Sequence, residues 1–203
     1  MDLPVVPLGR PRGERADAAR NRERLLAAAR AMIAEHGTEK VTMDGLAERA
    51  GLGKGTVFRR FGSRAGIFRA LLEDDESRFQ DRVLSGPPPL GPGADPAQRL
   101  IAYGRARIPY LLEHHAFALA ASGPDQPGVG PGVGLTRLHL RVLLDEAGVP
   151  GAEGLVLQLA AALEGPVLLF LSPSAEPPAP GLGPGLADSW QTLIERVLRV
   201  EDT

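Results

Sequence analysis

Lys54, Thr56, Arg59 and Arg60 fall within seven residues, at spacings that place them on the outward side of one short helix when Val57 and Phe61 take the inward side. Two guanidinium groups, an ammonium and a hydroxyl on one face suit a polyanion. Guanidinium forks match phosphate oxygens and purine edges, and ammonium groups supply mobile point charge. The alternative for Arg59 and Arg60 is an ordinary solvated helix face. Val57 and Phe61 read as core.

Chemistry of the bond-breaking kind has little to work with. The chain has no cysteine, which removes thiolate nucleophiles, thiolate metal sites and disulfides. His114 and His115 are adjacent, so on a helix they point about 100° apart and do not form a facing metal pair. No Gly-x-Ser-x-Gly elbow, phosphate loop or His-Glu-x-x-His pair occurs, and the glycine-rich segments lie among prolines. The expectation is a protein that is not an enzyme and uses no cofactor and no metal.

The elements that must carry the cationic face can be read around it. Thr42 is a natural N-cap for a short helix ending near Ala50, and Gly51 suits the left-handed conformation that reverses the chain. A second short helix starts near Lys54. Leu46, Ala50, Val57 and Phe61 can share one small core, with Ala47 where two crossing helices approach closely. Two short helices joined by a tight glycine-containing turn make a helix-turn-helix, whose second helix fits the major groove of B-form DNA. Before it, Leu25, Ala28, Ala29, Met32 and Ile33 form the stripe of a helix predicted over residues 16–36 and stopped by Gly37. After it, Ile67, Phe68, Leu71, Leu72, Phe79 and Val83 predict a long helix over residues 63–84.

Composition and charge fit a two-part, soluble chain. The 203 residues are 43% hydrophobic and 24% charged, ordinary globular values, with 25 Gly and 19 Pro. Residues 10–64 hold 13 Lys and Arg against 7 Asp and Glu, a net of +6; residues 65–203 hold 10 against 17, a net of −7. A basic head on an acidic body points to polyanion binding by the head and another task for the body. Pro and Gly gather at residues 85–96, 122–134 and 172–185, which read as loops. Between them helices are predicted over residues 97–121, kinked or divided at Pro109, and over 133–147, 151–171 and 186–200. Nothing alternates with period two for long, so the fold class is all-α. The start of the chain lacks a secretory pattern, and residues 155–171 are interrupted by Gln158, Glu164 and Gly165-Pro166, short of a membrane span. A cytoplasmic protein with no membrane association is expected.

The stretch from Val41 to Leu72 resembles the DNA-binding domain of the tetracycline-repressor (TetR) family of bacterial transcriptional regulators. The family pattern runs Thr, then Ile/Leu-Ala, then Ala-Gly-x-x-x-Gly-x-Leu-Tyr-x-x-Phe-x-x-Lys. Thr42, Leu46-Ala47, Ala50-Gly51, Gly55, Val57-Phe58, Phe61 and Arg64 match it here. Four positions depart from it: Gly53 stands where Ser or Thr caps the recognition helix, Phe58 where Tyr is usual, and Gly45 and Ala65 where acidic side chains are common. The resemblance implies an N-terminal three-helix helix-turn-helix domain joined by a long helix to a C-terminal helical ligand-binding and dimerisation domain. It implies DNA contacts from Thr42, Lys54, Gly55, Thr56, Phe58, Arg59, Arg60 and Arg64, and a homodimer on a double-stranded, near-palindromic DNA operator. A small, apolar effector in the body would release it, with the long helix as the lever. Its division of the chain is a flexible basic arm over residues 1–15, the helix-turn-helix domain over 16–64 and the body over 65–203. The arm's Arg10, Arg12 and Arg15 either follow the minor groove or belong to a disordered extension. A rival reading is an activator, or a helical protein-interaction module, that answers to a partner protein.

Residues in the body are assigned from stripes. Leu155, Leu159, Leu163, Val167 and Phe170 crowd a helix that is apolar nearly all round, and Trp190, Leu193, Ile194, Val197 and Leu198 form a second stripe. These two helices are expected to build the dimer interface, through Leu155, Leu159, Leu163, Val167, Trp190, Ile194 and Val197; the alternative is burial in the body's own core. Tyr103, Arg107, Tyr110, His114 and Gln158 are the polar candidates for an effector pocket.

Overall fold

The computed structural model describes residues 12–122, 132–149, 151–168, 179 and 181–199, with the side chains of residues 12–16, 133 and 167 outside that description. The chain divides into two compact units, Met1–Ala70 and Leu71–Thr203. Among the described residues every regular element is helical, and the β-type pairing amounts to one isolated bridge between Pro92 and Ala94. The all-α expectation holds. No described helix is long and apolar enough to cross a membrane.

In the first unit, α1 spans Arg12–His36, α2 Met43–Ala50 and α3 Lys54–Phe61, and α4 begins at Arg64 and runs to Ser85 across the boundary between the units. The helix α1 starts four residues earlier than its apolar stripe suggested, directly after Pro11, and takes Gly13 into its first turn. A 3₁₀ turn over Thr38–Lys40, which periodicity did not reveal, links α1 to α2. Leu25, Leu26, Ala29, Val41, Leu46, Ala47, Val57, Phe61, Ile67 and Phe68 are buried. Ala47, at 2% exposure on α2, sits where α2 packs on both α1 and α3. Any larger side chain there would push the helices apart.

The second unit surrounds α5, Pro96–Glu113, which packs against α7 (Val133–Glu146), α8 (Glu153–Leu168) and α9 (Leu182–Arg199). Asp95 caps α5, accepting a hydrogen bond from the Gln98 amide at 3.0 Å, with Pro96 in the first turn where its missing N–H costs nothing. Phe79, Val83, Leu100, Tyr103, Ile108, Leu140, Leu143, Leu144, Leu159, Leu163, Trp190 and Ile194 form its apolar core. Pro109 was expected to kink or divide this helix, but α5 runs through it and breaks at His114, before the short α6 (His115–Ala121). At the break both imidazoles turn back onto the helix: His114 Nδ1 lies 2.7 Å from the Tyr110 carbonyl and His115 Nδ1 2.6 Å from the Leu112 carbonyl.

Candidate nucleic-acid interface

The two-helix wedge is built by local rules. Thr42 Oγ1 accepts from the Gly45 amide at 3.1 Å and caps α2. A Cβ at Gly45 would lie 3.0 Å from that hydroxyl and 3.1 Å from Met32 Cε, so a larger residue there would need both to give slightly. Gly51, at φ 62° and ψ 37°, takes the left-handed C-cap, and its N–H reaches the carbonyls of Ala47 and Glu48. Arg24 Nη2 donates to the Ala50 carbonyl at 2.8 Å, tying α1 to the same turn. Gly53 caps α3 through extended backbone alone, at φ −65° and ψ 141°.

On α3, Val57 and Phe61 are buried and Lys54, Gly55, Phe58, Arg59 and Arg60 are exposed, with Thr56 half-buried. Lys54 Nζ lies 2.8 Å from Asp44 Oδ2. Arg59 Nη2 is 3.4 Å from Thr56 Oγ1, a weak bond that leaves the guanidinium available. Phe58 is 50% exposed although nothing polar on its ring needs water. An aromatic ring left out of a core beside two arginines is an available contact surface. A cleft between α1 and α3 is lined by Asp17, Asn21, Arg22, Thr56, Arg59 and Arg60. Sequence spacing missed the share of α1 in this cleft, because i, i+4 arithmetic on one helix carries no information about its neighbour.

Arg64 stands differently from the other cations. Its Nε donates to the Val41 carbonyl at 3.0 Å and its Nη2 to the Thr38 carbonyl at 2.7 Å, and its guanidinium sits 5.0 Å from the Phe68 ring centroid. It fastens the 3₁₀ turn and the entry to α2 onto α4. Ser63 Oγ accepts from the Gly66 amide at 3.2 Å and supplies the cap of α4.

In the second unit four of the five candidate effector residues come together. Arg107, 1% exposed, donates to Glu76 at 2.6 Å and to Glu164 at 3.1 and 3.2 Å, with the Phe79 and Tyr110 rings about it. Tyr103 shares a 2.8 Å hydrogen bond with Thr136, whose hydroxyl approaches Glu164 at 3.4 Å. Burial pushes the Tyr103 phenol up to about 12, and burial likewise raises Tyr110. His114 stacks on Tyr110 and lies 3.1 Å from Asp75; burial opposes its charge, but the bonds to Asp75 and the Tyr110 carbonyl raise its pKa overall. Gln158 is exposed on α8 and joins none of them.

The dimer assignment needs correction. Leu159, Leu163, Trp190 and Ile194 are buried within the second unit's own core, at 3% exposure or less, and Trp190 Nε1 donates to the Leu100 carbonyl at 2.9 Å. They cannot also form a face between subunits. Leu155 and Val197 are half-buried, and the side chain of Val167 and the whole of Phe170 lie outside the described residues; of the arm, Arg10 lies outside them, whereas the backbone of Arg12 and Arg15 belongs to α1 and their side chains are outside the description. The apolar side chains that do face out on α8 and α9 are Leu157 (50% exposed), Leu168 (54%) and Leu193 (38%).

A capped helix, a left-handed glycine turn and a second helix with an exposed cationic face define a helix-turn-helix protein of the major-groove class. Residues 25–71 match the family described as bacterial regulatory proteins, tetR family. That match covers the helix-turn-helix and the start of α4, so the likeness to this family is one of the head. The chain is 36% identical over 63 residues to the HTH-type transcriptional repressor AcnR of Corynebacterium efficiens, and equally to that of Corynebacterium glutamicum, covering 31% of this chain and 34% of each relative. The match thus spans about a third of the length of these curated relatives. The fold extends further: a transcriptional regulator from Rhodococcus sp. Rha1 superposes with a TM-score of 0.61 at 24% identity, covering 88% of this chain and 96% of that one. A TetR-family regulator from Pectobacterium atrosepticum superposes with a TM-score of 0.63 at 20% identity, covering 94% and 96%.

Proposed function

We propose that this chain is a cytoplasmic transcriptional repressor that binds a near-palindromic operator as a homodimer and is released by a small, apolar effector held in its second unit. The observation that carries the DNA-binding part is the exposure of Lys54, Arg59 and Arg60 on a helix whose other face is locked into the head by Val57 and Phe61. Thr42, Gly55, Thr56 and Phe58 extend that surface, and Arg64 supports it from behind. Two such helices would enter successive major grooves roughly 34 to 36 Å apart. The proposed division is a basic arm that ends where α1 begins at Arg12, the DNA-binding domain from there to residue 64 and the body over 65–203.

For the body, Tyr103, Arg107, Tyr110 and His114 join Glu76, Glu164 and Thr136 in a polar cluster beside the apolar core, and an effector would act by exchanging with the partners they already have. Its leverage equals its difference in affinity between the two conformers. The face for a second copy is assigned to Leu157, Leu168 and Leu193 with the half-buried Leu155 and Val197.

Selection of bound sequences from a random DNA pool tests this reading directly. Recovery of a palindrome supports it, and recovery of no enriched sequence together with no duplex binding at low salt overturns it. In the same assay Arg60→Ala should weaken binding across all sequences and reduce the slope of log affinity against log salt by about one, with the melting temperature unchanged.

A further inference from the structure

The salt bridge between Asp44 and Lys54 bears on the DNA-binding reading and rests on it. Asp44 lies in the first turn of α2 and Lys54 is the first residue of α3, so the two helix starts of the wedge carry opposite charges. Their charged atoms are 2.8 Å apart, with side chains 63% and 68% exposed, and α3 itself has no acidic residue in its first turn. A carboxylate oxygen at that distance occupies the place a phosphate oxygen would take on the ammonium.

We propose that Asp44 is an internal competitor for DNA phosphate: its carboxylate takes one of the three N–H donors of Lys54 at the start of the recognition helix and offsets its charge, and this sets a lower affinity than the cationic face alone would give. An exposed pair of this kind is weak, so it gives way easily when a phosphate arrives. Its consequence persists afterwards, since the displaced carboxylate stays on the same exposed face, near the phosphates that replaced it. The position is specific. A Cβ at the neighbouring Gly45 would press on Thr42 Oγ1 and Met32 Cε at 3.0 and 3.1 Å, whereas the side chain of residue 44 is exposed. The structural alternative is that Asp44 serves α2 alone, as a favourable charge near a helix N-terminus.

A double-mutant cycle on the full chain separates the two. Binding of a labelled random-sequence duplex is measured at several salt concentrations for the wild type, Asp44→Asn, Lys54→Met and the pair, with helical content and melting recorded for each. Asp44→Asn is expected to tighten binding about three- to fivefold at low salt, the equivalent of the pair it breaks, and to steepen the salt dependence by up to about one ion. In the Lys54→Met background the same change should have less than half that effect. Unaltered or weaker binding by Asp44→Asn, or an equal gain in both backgrounds, overturns the proposal while leaving the DNA-binding reading in place. Absence of binding by all four proteins at low salt sinks that reading, and this inference with it.

Discussion

A guanidinium that faces two backbone carbonyls acts on the fold, whereas one that faces water is available to a ligand. Arg64 is of the first kind, half-buried and bonded to Val41 and Thr38, and Arg60 is of the second. Arg64→Ala should therefore destabilise the head by about 1 to 2 kcal/mol, lowering the first transition in a melt, since two accepting carbonyls lose their partner. DNA affinity measured well below that transition would change less than in Arg60→Ala. His139 shows the same dependence on surroundings in its titration. Its ring is 7% exposed, its Nε2 has no hydrogen-bond partner, and burial followed by the nearby Arg99 lowers its pKa from 6.5 to about 4. A histidine that takes up its proton less readily when folded loses stability as pH falls through the unfolded value near 6.5, and the loss levels off below about 4. The second unit should thus be less stable at pH 4.5 than at pH 7, by roughly 2 kcal/mol from this group. His139→Phe should flatten that part of the pH profile in urea titrations; an unaltered profile would assign the acid sensitivity elsewhere.

At the scale of elements, the contact between α5 and α9 depends on a missing side chain. A Cβ at Gly104 would overlap the Trp190 indole, and the Trp190 N–H is bonded to the Leu100 carbonyl one turn earlier. Gly104→Ala should cost about 2 to 3 kcal/mol in chemical denaturation despite the better helix propensity of alanine, because overpacking a rigid contact outweighs a gain of about 1 kcal/mol. A stabilised variant would mean that α9 can move aside. The cluster of Arg107, Glu76 and Glu164 works at this scale too, joining α4, α5 and α8 through one buried cation. Such a cluster is weak evidence for net stability but ties its helices into one arrangement, because breaking any arm leaves a buried charge unpaired.

At the scale of the whole molecule, function in this reading requires a second copy. Leu157→Lys combined with Leu193→Lys should produce monomers in analytical ultracentrifugation and reduce operator affinity far more than affinity for a single half-site. Leu159→Lys is the contrasting case: its side chain is buried in the core, so it should unfold the second unit instead of dissociating an intact one. Dimers that survive the double exposed-face change would move the interface to another surface.

The head was legible from its residues because its grammar is local. Thr42, Gly51 and the alternation of Val57 and Phe61 with Lys54, Arg59 and Arg60 act within a turn or two of the chain, where capping, left-handed backbone and helical period are decided by the neighbouring residues alone. The all-helical class and the approximate helix limits follow for the same reason. The partners of each side chain were a matter for tertiary structure. Leu159 and Trp190 have the same apolar character whether they meet a second subunit or their own core, and Arg64 and Arg107 carry the same charge whether they face a phosphate, a carbonyl or two glutamates. Sequence thus determined which helices form and which faces are apolar or cationic; packing determined what each face meets, because burial and pairing depend on groups that are distant in the chain and adjacent only in space.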